Sequence, residues 1–168
     1  MKTRRLGKTG LMISEVGFGG EWLERHPEEE GIELIHYASS LGINILDCWM
    51  ADPKSRDIIG KGIKENRSQW YIQGHIGSTW KDEQYFRTRD MKYVRPAFED
   101  LLKRLQTDYI DLGMIHYVDS EEKWEQIQHS DYLKYVMELK SILKIWQYQI
   151  PLNRIILLAC TKNIKIIQ

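Results

Sequence analysis

Asp47, His75 and His116 are side chains capable of proton transfer, and each comes at or directly after the end of a short apolar run. Histidine exchanges protons near neutral pH, and a carboxylate beside it can orient the ring or accept the proton. Asp52 lies five residues after Asp47. It could donate a proton only where burial or a second carboxylate kept its carboxyl group protonated. These four residues are the candidate catalytic residues of the chain.

The same four side chains allow other interpretations. Two carboxylates and two imidazoles could hold a divalent cation such as Zn²⁺, which would activate a bound water. They come from three different strand ends without a compact spacing motif, so no residue is assigned as a metal ligand. Each also has a structural alternative, as a carboxylate that caps backbone amides, a solvated loop Asp or a packed histidine. A nonenzymatic chain, either a subunit or a remnant, is a further alternative for the function.

The elements that must position these residues alternate between strand and helix. Residues 2–14 predict a β-hairpin, with Gly7 and Gly10 on either side of its turn. Four strands are predicted from apolar runs, at 15–18, 43–46, 69–76 and 109–117. Helices are predicted over 27–42, 55–64, 88–105 and 120–139, with Thr88 and Ser120 at the start of the last two and a polar loop at 77–87.

Alternation of strand and helix predicts an α/β fold in which helices cover a parallel sheet. Ligands of such sheets lie beyond the carboxyl ends of the strands. The turn 19–21 and the candidates Asp47, His75 and His116 all follow predicted strands. We therefore expect them to gather at one end of the sheet, and the catalytic hypothesis depends on that geometry.

The composition excludes several classes of function. The 24 Lys and Arg residues balance the 24 Asp and Glu residues, so nothing favours nucleic acid as a partner. We find no run of about 18 apolar residues, so a membrane-spanning helix is not expected. The N-terminus lacks the apolar stretch of a signal peptide. Cys48 and Cys160 are too few for a disulfide framework or a four-ligand zinc or iron–sulfur centre, so we expect a cytoplasmic protein.

Three ordered segments of the chain resemble the aldo-keto reductase family. MKTRRLGKTGLMISEVGFGG at 1–20 is similar to that family's opening hairpin and first strand. INILDCWMADPKSRDIIGKGIK at 43–64 is similar to the segment that ends its second strand, and TDYIDLGMIHYVD at 107–119 to its fourth strand. The resemblance covers residues 1–140. It implies the N-terminal half of a (β/α)8 TIM barrel, with about four strand–helix units preceded by a β-hairpin.

The resemblance also implies NADPH-dependent reduction of a small carbonyl substrate. Asp47 and His116 match the family's catalytic Asp and His, whereas Asp52 stands at the position of its Tyr and His75 at that of its Lys. Histidine could relay or donate a proton in place of that Lys. The resemblance further implies NADP contacts from Gly19, Gly20, Glu21 and Trp22, and a substrate pocket bordered by Trp49 and Tyr117.

The composition changes abruptly near residue 140. All 12 glycines lie in 1–113, and the segment 141–168 contains eight Ile, four Lys or Arg, and no Asp or Glu. This atypical tail does not resemble the family and has the composition of a coding sequence read in a shifted frame. We take that origin as a hypothesis, and the nucleotide sequence after codon 140 tests it.

Half a barrel has two expected consequences. Two sheet edges and the barrel interior stay uncovered, which favours self-association or pairing with another chain. In the family most phosphate and adenine contacts come from the seventh and eighth strand–helix units. This chain is therefore expected to be truncated, to bind NADPH poorly and to be inactive alone. Neither the substrate nor a preference for NADPH over NADH follows from the sequence.

Overall fold

A computed structural model describes residues 1–139 and the backbone of a strand at 143–148. Short 3-10 turns occur at Leu23–Arg25 and Arg67–Gln69. In chain order, the strands and helices are β1 (Thr3–Arg5), β2 (Met12–Ser14), β3 (Phe18–Gly19), α1 (Glu28–Ser40), β4 (Ile45–Cys48), α2 (Pro53–Ile63), β5 (Tyr71–Ile76), β6 (Ser78–Lys81), β7 (Gln84–Arg87), α3 (Met91–Arg104), β8 (Ile110–Ile115), α4 (Glu121–Gln128), α5 (Asp131–Glu138) and β9 (Leu143–Tyr148).

Five of the strands form one parallel sheet with the spatial order β3-β4-β5-β8-β9. Strands β1 and β2 pair antiparallel ahead of it, which is the hairpin predicted for residues 2–14. The register places Gly19 opposite Asp47, and His75 opposite Met114. The predicted α/β fold with a parallel sheet is therefore confirmed, and the strand ends that carry the candidate residues lie at one end of the sheet.

The helices pack against the sheet through a continuous apolar core. Helix α2 also lies unusually close to the end of α3, because a Cβ atom added at Gly60 would come 2.0 Å from the backbone oxygen of Arg104. Only glycine allows two helix backbones to approach in this way. The core draws on the strands and on all five helices, and its fully buried members include Ile35, Leu46, Ile58, Trp70, Ile72, Leu101, Ile110, Ile127 and Val136.

A buried ion pair joins the start of β5 to β8. Oδ2 of Asp111 accepts hydrogen bonds from the Ile72 backbone N–H and from Arg67 Nη2, both at 3.0 Å. The Asp111 side chain is only 1% exposed. Arg67 also donates to the backbone oxygens of Trp70 and Tyr109, so its charge is neutralised and its donors are used. This contact fixes the two strands that carry His75 and His116.

The segment after β5 differs from its prediction as a polar loop. Strands β6 and β7 pair antiparallel over 78–87, with Trp80 opposite Tyr85. The turn residues Asp82 and Glu83 have φ values of 51° and 60°, the left-handed pair that two-residue hairpin turns require. The prediction of a loop was therefore wrong. The turn lacks the Asn-Gly or Asp-Gly sequence that usually indicates such a hairpin.

Two helix boundaries also differ from the predictions. Helix α3 is capped by Asp90, whose Oδ1 accepts from the Lys92 N–H at 2.9 Å, and not by Thr88. The single helix predicted over 120–139 is two helices, α4 and α5. Ser130 begins the second by accepting from the Leu133 N–H. Its hydroxyl oxygen competes for that backbone donor, which is why serine favours helix starts over helix interiors.

Strand β9 lies within the segment predicted as an atypical tail. It pairs parallel with β8, with Ile110 opposite Leu143 and Ile115 opposite Tyr148. A fifth strand thus follows the fourth strand–helix unit. Residues 140–142 and 149–168 lie outside the described part of the chain, and so does most of the predicted tail. Among the residues that the structure describes, none of the helices has the length and apolar character needed to cross a membrane.

Candidate active site

The predicted catalytic histidines meet at the carboxyl end of the sheet. His75 is near the end of β5, and His116 directly follows β8. Their Nδ1 atoms are 2.9 Å apart, and each residue is only 4% exposed. A nitrogen–nitrogen contact of this length is a hydrogen bond only when one nitrogen carries a proton and the other does not. The two rings therefore share one proton between facing nitrogens.

Asp47 lies on the other side of His75. Its Oδ1 is 3.1 Å from His75 Nε2, and the side chain is 36% exposed, so the carboxylate connects the buried histidine pair with solvent. The Oδ1 atom itself is enclosed, and the contact with His75 is close without having hydrogen-bond geometry. Gly20 packs against this residue, because its N–H donates to the Asp47 backbone oxygen at 2.9 Å and a Cβ there would clash with that oxygen.

Tyr85, on the hairpin strand β7, reaches the opposite side of His116. Its hydroxyl oxygen is 2.5 Å from His116 Nε2. Burial raises the pKa of the Tyr85 phenol above its ordinary value, partly offset by the positive charge of Arg87. The phenol therefore keeps its proton at neutral pH and is available as a donor. Sequence reasoning missed this residue because it lies in the segment that was predicted to be a polar loop.

His116 is held neutral by its surroundings. Burial is the main cause that lowers its pKa, and the electrostatic influence of His75 together with the positive charges of Arg87 and Arg89 lowers it further, to about 3. Arg89 approaches from the outside, donating to the backbone oxygens of His116 and Tyr117. A neutral imidazole has one donor and one acceptor nitrogen, so it can pass a proton without retaining a charge.

Trp49 forms one wall of the site. Its ring stacks on that of His116 with centroids 6.0 Å apart and packs edge-on against Tyr85 at 5.3 Å. Its indole N–H donates to Glu21 Oε2 at 3.2 Å, which links this wall to the turn after β3. The Trp49 backbone oxygen accepts from the Ser78 hydroxyl at the start of the hairpin. These contacts connect β3, β4 and the hairpin around the histidine pair.

The metal alternative receives no support from this geometry. Within the described ranges, no group of three or more His, Cys, Asp or Glu side chains is placed to hold a metal ion. His75 and His116 face each other through nitrogens that share a proton, whereas metal ligands converge with free lone pairs on a common centre. The arrangement is a row of hydrogen-bonding groups, suited to moving protons.

Comparison with known proteins adds the decisive observation. The sequence pattern of the Aldo/keto reductase family matches residues 15–148, which is most of the chain. The chain belongs to the aldo/keto reductase family. The match ends with β9, beyond the change of composition near residue 140. Predicted membership of this family is therefore confirmed.

Relatives within the family agree in both sequence and fold. The chain is 34% identical over 128 residues to Aldo-keto reductase YhdN of Bacillus subtilis, a match covering 71% of this chain and 39% of that protein. The holo form of aldo-keto reductase AKR11C1 from Bacillus halodurans superposes with a TM-score of 0.74 at 26% identity, covering 89% of this chain and 50% of that one. The chain thus spans about two fifths to one half of these relatives.

A further structural neighbour is similar in fold alone. It is an aldo-keto reductase from Klebsiella pneumoniae, solved in complex with NADPH, with a TM-score of 0.65 and 18% identity. It covers 88% of this chain, and the matched part is 49% of the neighbour. The described strands are accordingly part of the barrel that these aldo/keto reductases form.

Asp52, which stands where the family's Tyr is expected, has a structural role here. It is the N-cap of α2, and its Oδ1 accepts from the Ser55 N–H at 2.8 Å. An aspartate in this position stabilises the first turn of a helix by satisfying one free N–H. The proton-donor role predicted for Asp52 competes with this use of its carboxylate. A phenol does reach the site, but it comes from Tyr85 on the hairpin.

His116 stands at the position of the family's catalytic His. Here its Nδ1 faces His75 and its Nε2 faces the Tyr85 hydroxyl, so both nitrogens are occupied.

The remaining predicted binding residues are Gly19, Trp22 and Tyr117. Gly19 is paired with Asp47 in the sheet. Tyr117 has a left-handed φ of 60°, and its partly exposed ring is 5.9 Å from that of His116. The Arg87 guanidinium lies over the Tyr117 ring, 4.1 Å from its centre. Trp22 is exposed, and its ring lies 3.5 Å from the Arg25 guanidinium. Their binding roles stay predictions.

Proposed function

We propose that this chain forms the carbonyl-activating part of an NADPH-dependent oxidoreductase site of the aldo-keto reductase type. The observation that carries the proposal is the convergence of Asp47, His75 and His116 at the carboxyl ends of adjacent parallel strands. That end of a barrel is where enzymes of this architecture hold their substrates. A row of groups that can exchange protons there supports proton delivery to the oxygen of a carbonyl compound.

The site has features that fit a nicotinamide cofactor, which would supply a hydride. The Asp47 side chain is 36% exposed, so a ligand at this end of the sheet can reach its carboxylate. The ring of Trp49 offers a flat surface beside His116. The neighbour from Klebsiella pneumoniae was solved with NADPH, which supports this choice of cofactor.

We further propose that this 168-residue chain is inactive with NADPH on its own. The described residues form five parallel strands, and the chain spans 39% of the length of its Bacillus subtilis relative. The phosphate and adenine contacts implied by the resemblance come from later units of the barrel. Without them the cofactor retains only the contacts of its nicotinamide end. A dissociation constant in the micromolar range, measured by calorimetry, would overturn this part of the proposal.

A hydride donor that lacks phosphate and adenine tests the carbonyl-activating role directly. 1-Benzyl-1,4-dihydronicotinamide carries the reactive ring without the parts of NADPH that need the missing contacts. We expect the chain to accelerate reduction of aromatic aldehydes by this compound, measured from the loss of its absorbance. Asp47→Asn should lower the acceleration, whereas Asp108→Asn, at an exposed position, should not. Equal rates with and without the chain would contradict the proposal.

A further inference from the structure

We propose that the carbonyl substrate of this site carries an anionic group, a carboxylate or a phosphate, and that Arg87 binds this group beside the histidine pair. The inference rests on the proposed function and adds a substrate class to it. Arg87 ends β7, two residues after Tyr85. Residues two apart on a strand lie on the same face, so both side chains project from one side of the hairpin. The Tyr85 hydroxyl contacts His116, which places Arg87 at the rim of the candidate active site.

The guanidinium of Arg87 lies close to the residues that follow β8. It is 4.1 Å from the ring centre of Tyr117, and that ring centre is 5.9 Å from the centre of the His116 ring. The guanidinium carbon is therefore no more than about 10 Å, the total of these two distances, from the His116 ring centre. A small molecule can bridge that distance, with its carbonyl group at the cluster and its anionic group at Arg87.

The positive charge of Arg87 has no carboxylate partner within residues 1–139. The ion pairs of that range include neither Arg87 nor Arg89. Asp119 is the carboxylate that Arg87 influences, and Lys123 Nζ already binds it at 2.7 Å. Lys123 is the main cause that lowers the pKa of Asp119, and Arg87 contributes only weakly. An anionic ligand would therefore compensate a charge that these residues leave uncompensated.

Arg89 places a second positive charge at the same end of the sheet. Its Nη2 donates to the backbone oxygens of His116 at 3.2 Å and of Tyr117 at 2.8 Å, so it fixes the chain directly after β8. Backbone oxygens are neutral, so these bonds leave the charge of Arg89 uncompensated. Both Arg87 and Arg89 oppose a positive charge on His116. The electrostatic potential on this side of the site is therefore positive, which attracts anions from solution.

The acidic side chains of the site lie on its other side. Asp47 contacts Nε2 of His75, whereas His116 faces Nδ1 of the same ring. Glu21 accepts from the indole N–H of Trp49. These two carboxylates belong to β4 and to the turn after β3, which is also where NADP contacts are predicted. The separation of charge thus gives a bound substrate one direction, with its anionic group toward the hairpin and away from the cofactor.

The Arg87 side chain has the donors that a carboxylate or phosphate needs. A guanidinium presents a planar fork of N–H groups that can bind either anion through two parallel hydrogen bonds. Arg87 donates no hydrogen bond to any residue that the structure describes, so these N–H groups are available to a ligand. The Tyr117 ring supports the guanidinium through a cation–π contact.

Binding of 4-formylbenzoate and of its neutral methyl ester to the 168-residue chain tests the anion site without turnover. Dissociation constants from NMR titration should be at least about 10-fold lower for the carboxylate, the effect of one charge-assisted pair of hydrogen bonds. Arg87→Gln should abolish this preference and leave binding of the ester unchanged, which also shows that the variant is folded. Arg87→Lys should retain part of the preference. Arg5→Gln removes an exposed charge on β1 and should retain all of it. Equal affinities for the two compounds in the wild-type chain would overturn the inference.

Nicotinamide mononucleotide distinguishes a substrate anion from the phosphate of the cofactor. It carries a phosphate next to the nicotinamide riboside and has no adenine. Its dissociation constant, measured in the same way, should be the same for the wild-type chain and Arg87→Gln. If Arg87→Gln weakened this binding as much as that of 4-formylbenzoate, Arg87 would be a cofactor contact, and the substrate class would be overturned.

The dihydronicotinamide reaction separates this inference from the proposed function. This hydride donor carries no phosphate, so an effect of Arg87→Gln on the rate must act through the aldehyde. Below saturation, the acceleration over the uncatalysed rate should be about 10-fold greater for 4-formylbenzoate than for its ester, and Arg87→Gln should remove the difference. Equal acceleration of both aldehydes by the wild-type chain would overturn the inference and leave the proposed function standing. Arg87-dependent binding without any acceleration would contradict the proposed function and leave the anion site in place.

Discussion

His75 and His116 share a proton between Nδ1 atoms 2.9 Å apart, although both rings are buried and two guanidinium groups stand near His116. Adding a proton to each ring would place two positive charges in contact in a region of low dielectric constant. The pair is therefore stable as two neutral rings and unstable as two cations. This relationship governs both the proposed chemistry and the behaviour of the fold in acid.

Acid should destabilise the protein through His116. Its pKa falls from 6.5 to about 3 in the folded state, chiefly because of burial. Between pH 6.5 and about pH 3, the unfolded chain therefore binds a proton at His116 that the folded chain does not bind. Stability should decrease as the pH falls through this window, with a contribution of at most about 1.4 kcal/mol per pH unit. Urea unfolding at a series of pH values measures this slope. His116→Gln should flatten it, and the exposed His36→Gln should not.

Removing the buried carboxylate of Asp111 should destabilise the sheet strongly. Asp111→Ala leaves Arg67 partly buried without its anionic partner, and it removes the acceptor of the Ile72 N–H. Breaking a buried pair in this way costs about 3–5 kcal/mol. The measurement is the free energy of unfolding in urea. Asp108→Ala, at an exposed position, is the matched control and should change stability by less than about 0.5 kcal/mol. Similar effects of the two variants would show that the pair does not hold β5 to β8.

A methyl group at Gly60 should force α2 away from the end of α3. The added Cβ would lie 2.0 Å from the Arg104 oxygen, which belongs to the backbone and cannot rotate aside. Overpacking of this kind costs about 1–3 kcal/mol, although alanine alone would favour the helix. Thermal unfolding of Gly60→Ala tests the close contact. Gly19→Ala provides a control, because its methyl group would meet no atom within 4 Å. A stabilised Gly60→Ala variant would contradict the observed helix spacing.

Asp52 should affect folding more than chemistry. Asp52→Ala removes the cap of α2 and should cost about 1 kcal/mol, whereas Asp52→Asn keeps a good capping residue. We expect Asp52→Asn to retain both the wild-type stability and the wild-type dihydronicotinamide rate. A large loss of rate at unchanged stability would support the predicted role of Asp52 as proton donor.

The sequence predicted the framework well because parallel α/β folds follow from a repeated local pattern. Apolar runs ending in Asp47, His75 and His116 indicated three adjacent strand ends, and the structure brings these residues together. The apolar pattern was less informative where two successive helices share one apolar face. The apolar stripe of 120–139 continues across the break between α4 and α5, so the second cap at Ser130 was not recognised.

Only the site residues that lie at strand ends could be predicted from the sequence. Tyr85 was missed because its position depends on the turn at Asp82 and Glu83, where two successive non-glycine residues adopt the uncommon left-handed conformation. The aromatic residues on both sides of that turn, Trp80 on β6 and Tyr85 with Phe86 on β7, were the available signal. Contacts between side chains from distant segments, such as the bond from Tyr85 to His116, do not follow from any local pattern.

The hairpin of β6 and β7 is paired with itself and forms a sheet separate from the five parallel strands. It is nevertheless anchored to them, because the Ser78 hydroxyl donates to the Trp49 backbone oxygen and both Ser78 and Thr79 are buried. A change in the length of the hairpin would therefore also displace the indole wall beside His116.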